Sequence, residues 1–244
     1  MGTVITITSG KGGTGKTSIT GGVAASLALM GRTVLCVDMD IGLRNLDISL
    51  GLNDRALMDF SDVALGRCPL ARAAVEHPTL KGLWLLTSPM SLPASLTTEK
   101  VRSLLDTART MYDYILIDSP AGLGAGFRLA VCGADRALVV STSDASSLRD
   151  AQRTVAELEQ LKTIHLVMNR IQARLLRKLR ATIDDAMDAA GLPLIGVVPE
   201  DPQVILCANL GLPLTTRGPK GAALACRNIA RRLEGGRVPI MRIR

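Results

Sequence analysis

The chain carries 244 residues, a formal net charge of +7, and 47% hydrophobic but only 2% aromatic side chains. That length suits one domain with an aliphatic core, its nine methionines reading as packing and not as a cofactor box. Three classes are disfavoured: no apolar run nears the ~20 residues of a membrane span, no C-x-x-C links the five scattered cysteines as a zinc or iron–sulfur site would require, and the apolar start Val4–Thr8 is too short for a secretory signal.

His77 and His165 stand alone, and the cysteines read as reduced thiols of a cytoplasmic protein. The positive charge suits a nucleotide, a nucleic acid or an anionic membrane surface, and suits equally a solvated, arginine-rich face.

In chain order, short β-branched runs alternate with segments of helical period. Val4–Thr8 reads as the first strand. It leads into Gly10-Lys11-Gly12-Gly13-Thr14-Gly15-Lys16-Thr17, a full G-x-x-x-x-G-K-T phosphate loop, and then into a helix over Thr17–Met30 with Gly31 at its C-cap. Glycines let the backbone wrap so that N–H groups point at phosphate oxygens, and the helix dipole adds to that field. Lys16 is placed to reach the β and γ phosphates, and the Thr17 hydroxyl to ligate Mg2+. Lys11 is an addition to the plain motif. It is either an ordinary surface lysine or a cation that offsets charge on the leaving phosphate.

A strand over Thr33–Val37 ends in Asp38-Met39-Asp40. Two acids one residue apart suit a magnesium-bound water and an attacking water, and they point the same way if the chain stays extended. Either acid alone has a plainer reading as a solvated loop residue. Leu83–Leu86 and Tyr114–Ile117 read as strands flanking a helix over Thr98–Met111. Asp118 closes the latter strand in a Walker B pattern, and Ser119-Pro120-Ala121-Gly122 follows as a switch whose glycine brings an N–H to the γ phosphate.

Strands over Ala137–Val140, Thr163–Met168 and Leu194–Val198 alternate with helices over Leu148–Leu161, Arg174–Ala190 (capped by Gly191) and Gly221–Leu233. Strands this apolar are covered on both faces. The pattern predicts an α/β fold: a doubly wound, mostly parallel sheet with helices on both faces and ligands at the strands' carboxyl ends. With no linker or repeat, residues 1–239 read as a single domain and 240–244 as a short tail.

Longer stretches resemble the MinD/ParA family of deviant Walker A P-loop ATPases, and its septum-site branch above all. They are KGGTGKT with its extra Lys11, DMDIGLRNLD (38–47), DSPAG (118–122), Asn169-Arg170, GVVPED (196–201) and NLGLP (209–213). The likeness runs from about Thr3 to Pro239. Flagellar-number regulators usually lack an arginine at the position of Arg44, and partition ATPases normally carry a proline-glutamine pair where Ile41-Gly42 stands here.

The resemblance implies ATP/ADP and Mg2+ as cofactors. It implies phosphate contacts from Lys11, Gly12, Gly13, Thr14, Gly15, Lys16, Thr17, Ser18 and Gly122, and metal support from Thr17, Asp38 and Asp118. Asp40 would position the attacking water, and Lys11 would cross to the other copy of an ATP-bound homodimer. Asn169, with Arg170 beside it, would bind adenine in a pocket lined by Pro199, Glu200 and Asp201; read alone, Asn169 has a lesser reading as a turn residue, and its place at the end of an apolar strand favours the functional one. The implied partners are a septation inhibitor of the MinC kind and an activating or topology factor.

Two departures stand out. Leu123-Gly124-Ala125-Gly126 follows DSPAG where the family usually has an acid. The family also ends in an amphipathic membrane-targeting helix, whereas Ile240-Met241-Arg242-Ile243-Arg244 is far below the ~12 residues at which an isolated helix becomes marginal. Membrane association is therefore expected to be weak or absent, with the protein cytoplasmic or at most peripheral at the inner face of the membrane. The basic run Arg174–Arg180 keeps DNA binding open as a less favoured alternative, against a plain solvated helix face.

Overall fold

In the first strand, β1 (Thr3–Thr8), Ile5 and Ile7 point to one face of the sheet and Val4 to the other, and the same alternation recurs along the chain. The computed structural model describes residues 1–53 and 55–243. After β1 come α1 (Lys16–Leu29), β2 (Val34–Asp38), α2 (Asn45–Leu50), α3 (Phe60–Ala64), α4 (Leu70–Ala73), β3 (Val75–Glu76), β4 (Leu83–Leu86), α5 (Thr98–Met111) and β5 (Tyr114–Asp118). The second half holds α6 (Ala125–Val131), β6 (Arg136–Ser141), α7 (Ala145–Ala156), β7 (Thr163–Ile171), α8 (Ala173–Leu179), α9 (Ile183–Ala190), β8 (Leu194–Pro199), α10 (Pro202–Asn209), a 3-10 turn (Leu214–Arg217) and α11 (Gly221–Leu233).

The strands lie in the order β3-β4-β2-β5-β1-β6-β7-β8, and among the described residues only the β3–β4 pairing is antiparallel. The α/β fold, doubly wound and mostly parallel, is the one the sequence predicts. On one face Ile19, Val23 and Leu27 of α1 meet Ala222, Cys226 and Ile229 of α11 over Ile5, Cys36 and Leu116. On the other, Val101, Leu104 and Leu105 of α5 cover Leu35, Val37 and Ile115, while α6, α7 and α9 cover Val139, Leu166 and Met168. Each such aliphatic side chain contributes about 1.5–3 kcal/mol when fully buried. That burial makes the sheet a rigid base for the loops at its carboxyl edge.

Two helices differ from expectation. The helix expected over Leu148–Leu161 begins earlier, because Asp144 caps it through the Ser147 amide, and regular helix stops at Ala156. The single helix expected over Arg174–Ala190 is two. Arg180 takes a left-handed φ of 51° that ends α8, and Thr182 with Asp185 forms a capping box that starts α9.

After α11 the Arg232 guanidinium donates to the carbonyls of Ile195, Val238 and Pro239, pinning the chain that leads to the tail. Met241 and Ile243 then pack against the domain's cores. Arg244, the last residue of the expected tail, lies outside the described residues. Among the described residues no helix is long and apolar enough to cross a membrane.

Candidate functional site

The phosphate loop lies between β1 and α1, at the middle of the sheet. Ser9 donates to the Lys11 carbonyl at 2.7 Å, which bends the chain as it leaves the strand. Gly15 has φ +90°, and a Cβ there would run into the Asn169 side chain, so both backbone and space require glycine. Lys16 is buried and bonds Ser9 Oγ at 3.2 Å. The Thr14 hydroxyl is buried without a partner, which leaves it available to a phosphate oxygen.

Three carboxylates gather opposite Lys16. Asp38 and Asp118 end neighbouring strands at the same level of the sheet. Thr20 donates to Asp118 at 3.3 Å. Burial, reinforced by Asp38, pushes the Asp118 carboxyl up to about 7, with the Thr17 hydroxyl and Lys16 pulling the other way. Burial likewise lifts Asp38 to about 6 despite bonds from the Asp40 and Leu46 amides. Asp40, half-buried, is raised by desolvation and lowered by Lys16. Lys16 itself is lowered by burial, against the pull of Asp118 and Asp40.

Carboxylates held above their ordinary range by burial favour a cation, and the Thr17 hydroxyl adds a neutral oxygen beside them. The donor set therefore fits Mg2+. Among the described residues no group of three or more His, Cys, Asp or Glu could hold a metal alone. Phosphate oxygens and waters would complete the shell, which is the usual habit of Mg2+.

The strand β2 stops at Asp38, whose Oδ1 accepts from the Asp40 amide at 2.9 Å and whose Oδ2 accepts from the Leu46 amide at 3.2 Å. Asp38 thus also shapes the loop that carries Asp40. Gly122 has φ +81°, but a Cβ there would meet nothing within 4 Å. Within this chain its glycine is required by backbone conformation and not by crowding.

A cavity of about 260 Å3 opens beside the phosphate loop. Its walls include Gly13, Gly15, Ser18, Asn169, Arg170 and Pro199–Asp201. Asn169 Nδ2 donates to the Thr14 carbonyl at 2.8 Å. Arg170, at a left-handed φ of 55°, pairs with Glu200 at 3.0 Å. The Asp201 carboxylate accepts from the Gln203 and Ala222 amides, so it ties the starts of α10 and α11 together while its residue lines the wall.

Lys11 leaves the loop on its exposed side and donates to Ser146 Oγ at 2.8 Å and Asp144 Oδ1 at 3.2 Å. Hydrogen bonds from Ser146 and Thr142, then from the Ser147 amide and Lys11, hold the Asp144 carboxyl well below the usual carboxylate range. In this single chain Lys11 is therefore engaged by its own α7.

A phosphate loop, two strand-end acids and a base-sized cavity on one sheet edge match a known nucleotide-binding family. The family model described as the CobQ/CobB/MinD/ParA nucleotide binding domain matches residues 5–214. The chain belongs to this family. It is 38% identical over 246 residues to the septum site-determining protein MinD of Synechocystis sp., covering 99% of this chain and 92% of that one. The MinC:MinD cell division protein complex of Aquifex aeolicus superposes with a TM-score of 0.91 at 37% identity, covering 99% of each chain. MinD of Pyrococcus horikoshii, solved with Mg-ADP, gives 0.84 at 29% identity over 96% of each.

Within this MinD/ParA family site, several residues escape a reading of the sequence. Val204, Ile205, Leu214 and Cys226 line the base cavity from α10, the 3-10 turn and α11. Nothing local marks them, since they meet the pocket only through the fold. Asp144 and Ser146 were legible in part: an Asp three residues before Ser147 is a helix N-cap signal, although its link to Lys11 is not.

Proposed function

We propose that the chain is an ATP-driven, dimerising switch that hydrolyses ATP to ADP and phosphate and regulates septum placement. The observation that carries this reading is the convergence of Lys16, Thr17, Asp38, Asp40 and Asp118 beneath the glycine loop, beside a base-sized cavity. Lys16 and the loop amides bind the β and γ phosphates, and the Thr14 hydroxyl adds a contact. Thr17, Asp38 and Asp118 would hold Mg2+, which would supply charge neutralisation along the phosphates. Asp40 orients the attacking water, and its half-buried carboxylate can accept a proton from it. Lys11 reaches the nucleotide of a second copy once it leaves Asp144.

Turnover is slow in the isolated protein, because that second copy and a protein partner complete the site. The Aquifex aeolicus complex supports a MinC-like septation inhibitor as a partner, and the Pyrococcus horikoshii protein supports Mg-nucleotide as the cofactor. Residues 1–239 form the ATPase unit, and the protein works in the cytoplasm.

Phosphate release from Mg-ATP by purified protein tests the reading. Wild type should turn over slowly and measurably, and Asp40→Ala should bind ATP but lose at least about a hundredfold in turnover. An Asp40→Ala protein that hydrolyses ATP at the wild-type rate removes Asp40 from its role.

A further inference from the structure

The end of β7 touches the phosphate loop as well as the base cavity. Pairing of β7 with β8 shifts register between Met168 and Ile171, so Asn169 and Arg170 fall in an irregular step of the ladder. Arg170 is there in the left-handed region, at φ 55°, a costly conformation for a residue with a long side chain. Both side chains reach the glycine loop. Asn169 Nδ2 donates to the Thr14 carbonyl at 2.8 Å, and Arg170 Nη1 donates to the Gly13 carbonyl at 3.4 Å. Two successive residues thus hold two successive loop carbonyls, far away in sequence.

The two contacts differ in strength. Asn169 is buried, and its bond is short and has no water to compete with it. The Arg170 side chain is 55% exposed and its loop contact is long, but Nε and Nη2 also fork onto Glu200, a wall of the base cavity. Gly15 closes the arrangement, since only glycine leaves room for the Asn169 amide.

We infer that Asn169 and Arg170 are positioning residues for the phosphate loop: they hold the Thr14 and Gly13 carbonyls so that the loop amides face the phosphates, independently of any contact with the base. The consequence is chemical. A carbonyl turned outward and bonded cannot turn inward against an anion, so the pair keeps the loop's donors aimed at the ligand. Because Arg170 also grips Glu200, the same pair joins the base wall to the phosphate loop. The inference rests on the nucleotide-binding reading above and adds a role that base recognition alone would not give.

A ligand without a base separates the two roles. Binding of Mg-tripolyphosphate and of Mg-ATP should be measured by calorimetry on wild type, Asn169→Ala and Arg170→Ala. Loss of the buried Asn169 bond should weaken tripolyphosphate about tenfold, and Arg170→Ala should weaken it about threefold. Asn169→Ala should lower kcat for ATP as well as raise KM, because a misaligned loop also fails in the transition state. Unchanged tripolyphosphate affinity in both variants, with ATP affinity reduced, overturns the inference and leaves base recognition alone. Circular dichroism checks that each variant is folded. If Asn169→Ala does not fold, Arg170→Ala, which loses only exposed contacts, decides the matter. A wild-type protein that binds neither ligand instead defeats the nucleotide reading itself.

Discussion

The two ends of the nucleotide site are built on different physical terms. At the phosphate end the functional groups are buried and charged: Lys16, Asp38 and Asp118 are all nearly inaccessible, and each carries a pKa displaced by desolvation. At the base end the walls are mostly apolar, and the charged pair Arg170–Glu200 is half in water. Buried charge is expensive unless a ligand neutralises it, so the phosphate end is poised for a nucleotide and its metal. The base end provides shape. The first region should therefore respond sharply to substitution, pH and nucleotide, and the second only mildly.

The largest effect should come from Lys16→Ala, which removes the buried ammonium facing the three acids. ATP affinity should fall by about a hundredfold or more by calorimetry. A smaller loss would place more of the binding energy in the loop amides and sharpen the contrast differently. Gly15→Ala comes next. It combines a strained positive φ with collision against Asn169, and should destabilise by about 1–3 kcal/mol in denaturant unfolding while weakening ATP. A neutral Gly15→Ala would mean that the Asn169 side chain moves aside freely, against its proposed role.

Acidity provides a third test. Asp118 and Asp38 are raised to about 7 and about 6 in the folded chain, so folding holds their protons more tightly than the unfolded state does. The contribution of these two carboxyls to stability should therefore be lost as pH rises from about 4 to about 7, opposed by His77 and His165, whose imidazoles burial lowers. Saturating Mg-ATP should flatten that slope, and so should Asp118→Asn. Thermal unfolding at intervals across this range checks it. An Asp118→Asn protein whose stability follows the wild-type pH profile contradicts the electrostatic account.

The smallest effect belongs to the exposed rim. Asp144→Ala removes an N-cap and the Lys11 ion pair, whose side chains are 51% and 44% exposed. About 1 kcal/mol of stability should be lost, mostly from the cap, because exposed pairs contribute little. Loss of several kcal/mol would mark Lys11–Asp144 as a structural bond and not a releasable one.

Legibility in the sequence follows the same divide. Gly10–Thr17, Asp40 and Asp118 could be read in advance because phosphate chemistry fixes both residue type and spacing, and a strand–loop–helix context is local. The parallel sheet was equally legible, since runs such as Tyr114–Ile117 are apolar on both faces. The base cavity was legible only at Asn169 and Pro199–Asp201. Val204, Leu214 and Cys226 converge there from separate elements, and no local pattern records that. The break at Arg180 was hidden as well, because a left-handed arginine has no propensity signal, while the capping box at Thr182 was available to a closer reading. The step at Asn169-Arg170 lies in the pairing of β7 with β8, which only the folded sheet displays.

The most direct test of the switch is the mass of the particle in solution. Sedimentation velocity of Asp40→Ala with Mg-ATP should give a dimer, and the same protein with Mg-ADP a monomer, because the proposed switch has two phosphate loops meet across a two-fold axis with the γ phosphates between them. Adding Lys11→Ala should weaken the ATP dimer. A protein that stays monomeric with saturating ATP, or dimerises equally with ADP, would contradict the account.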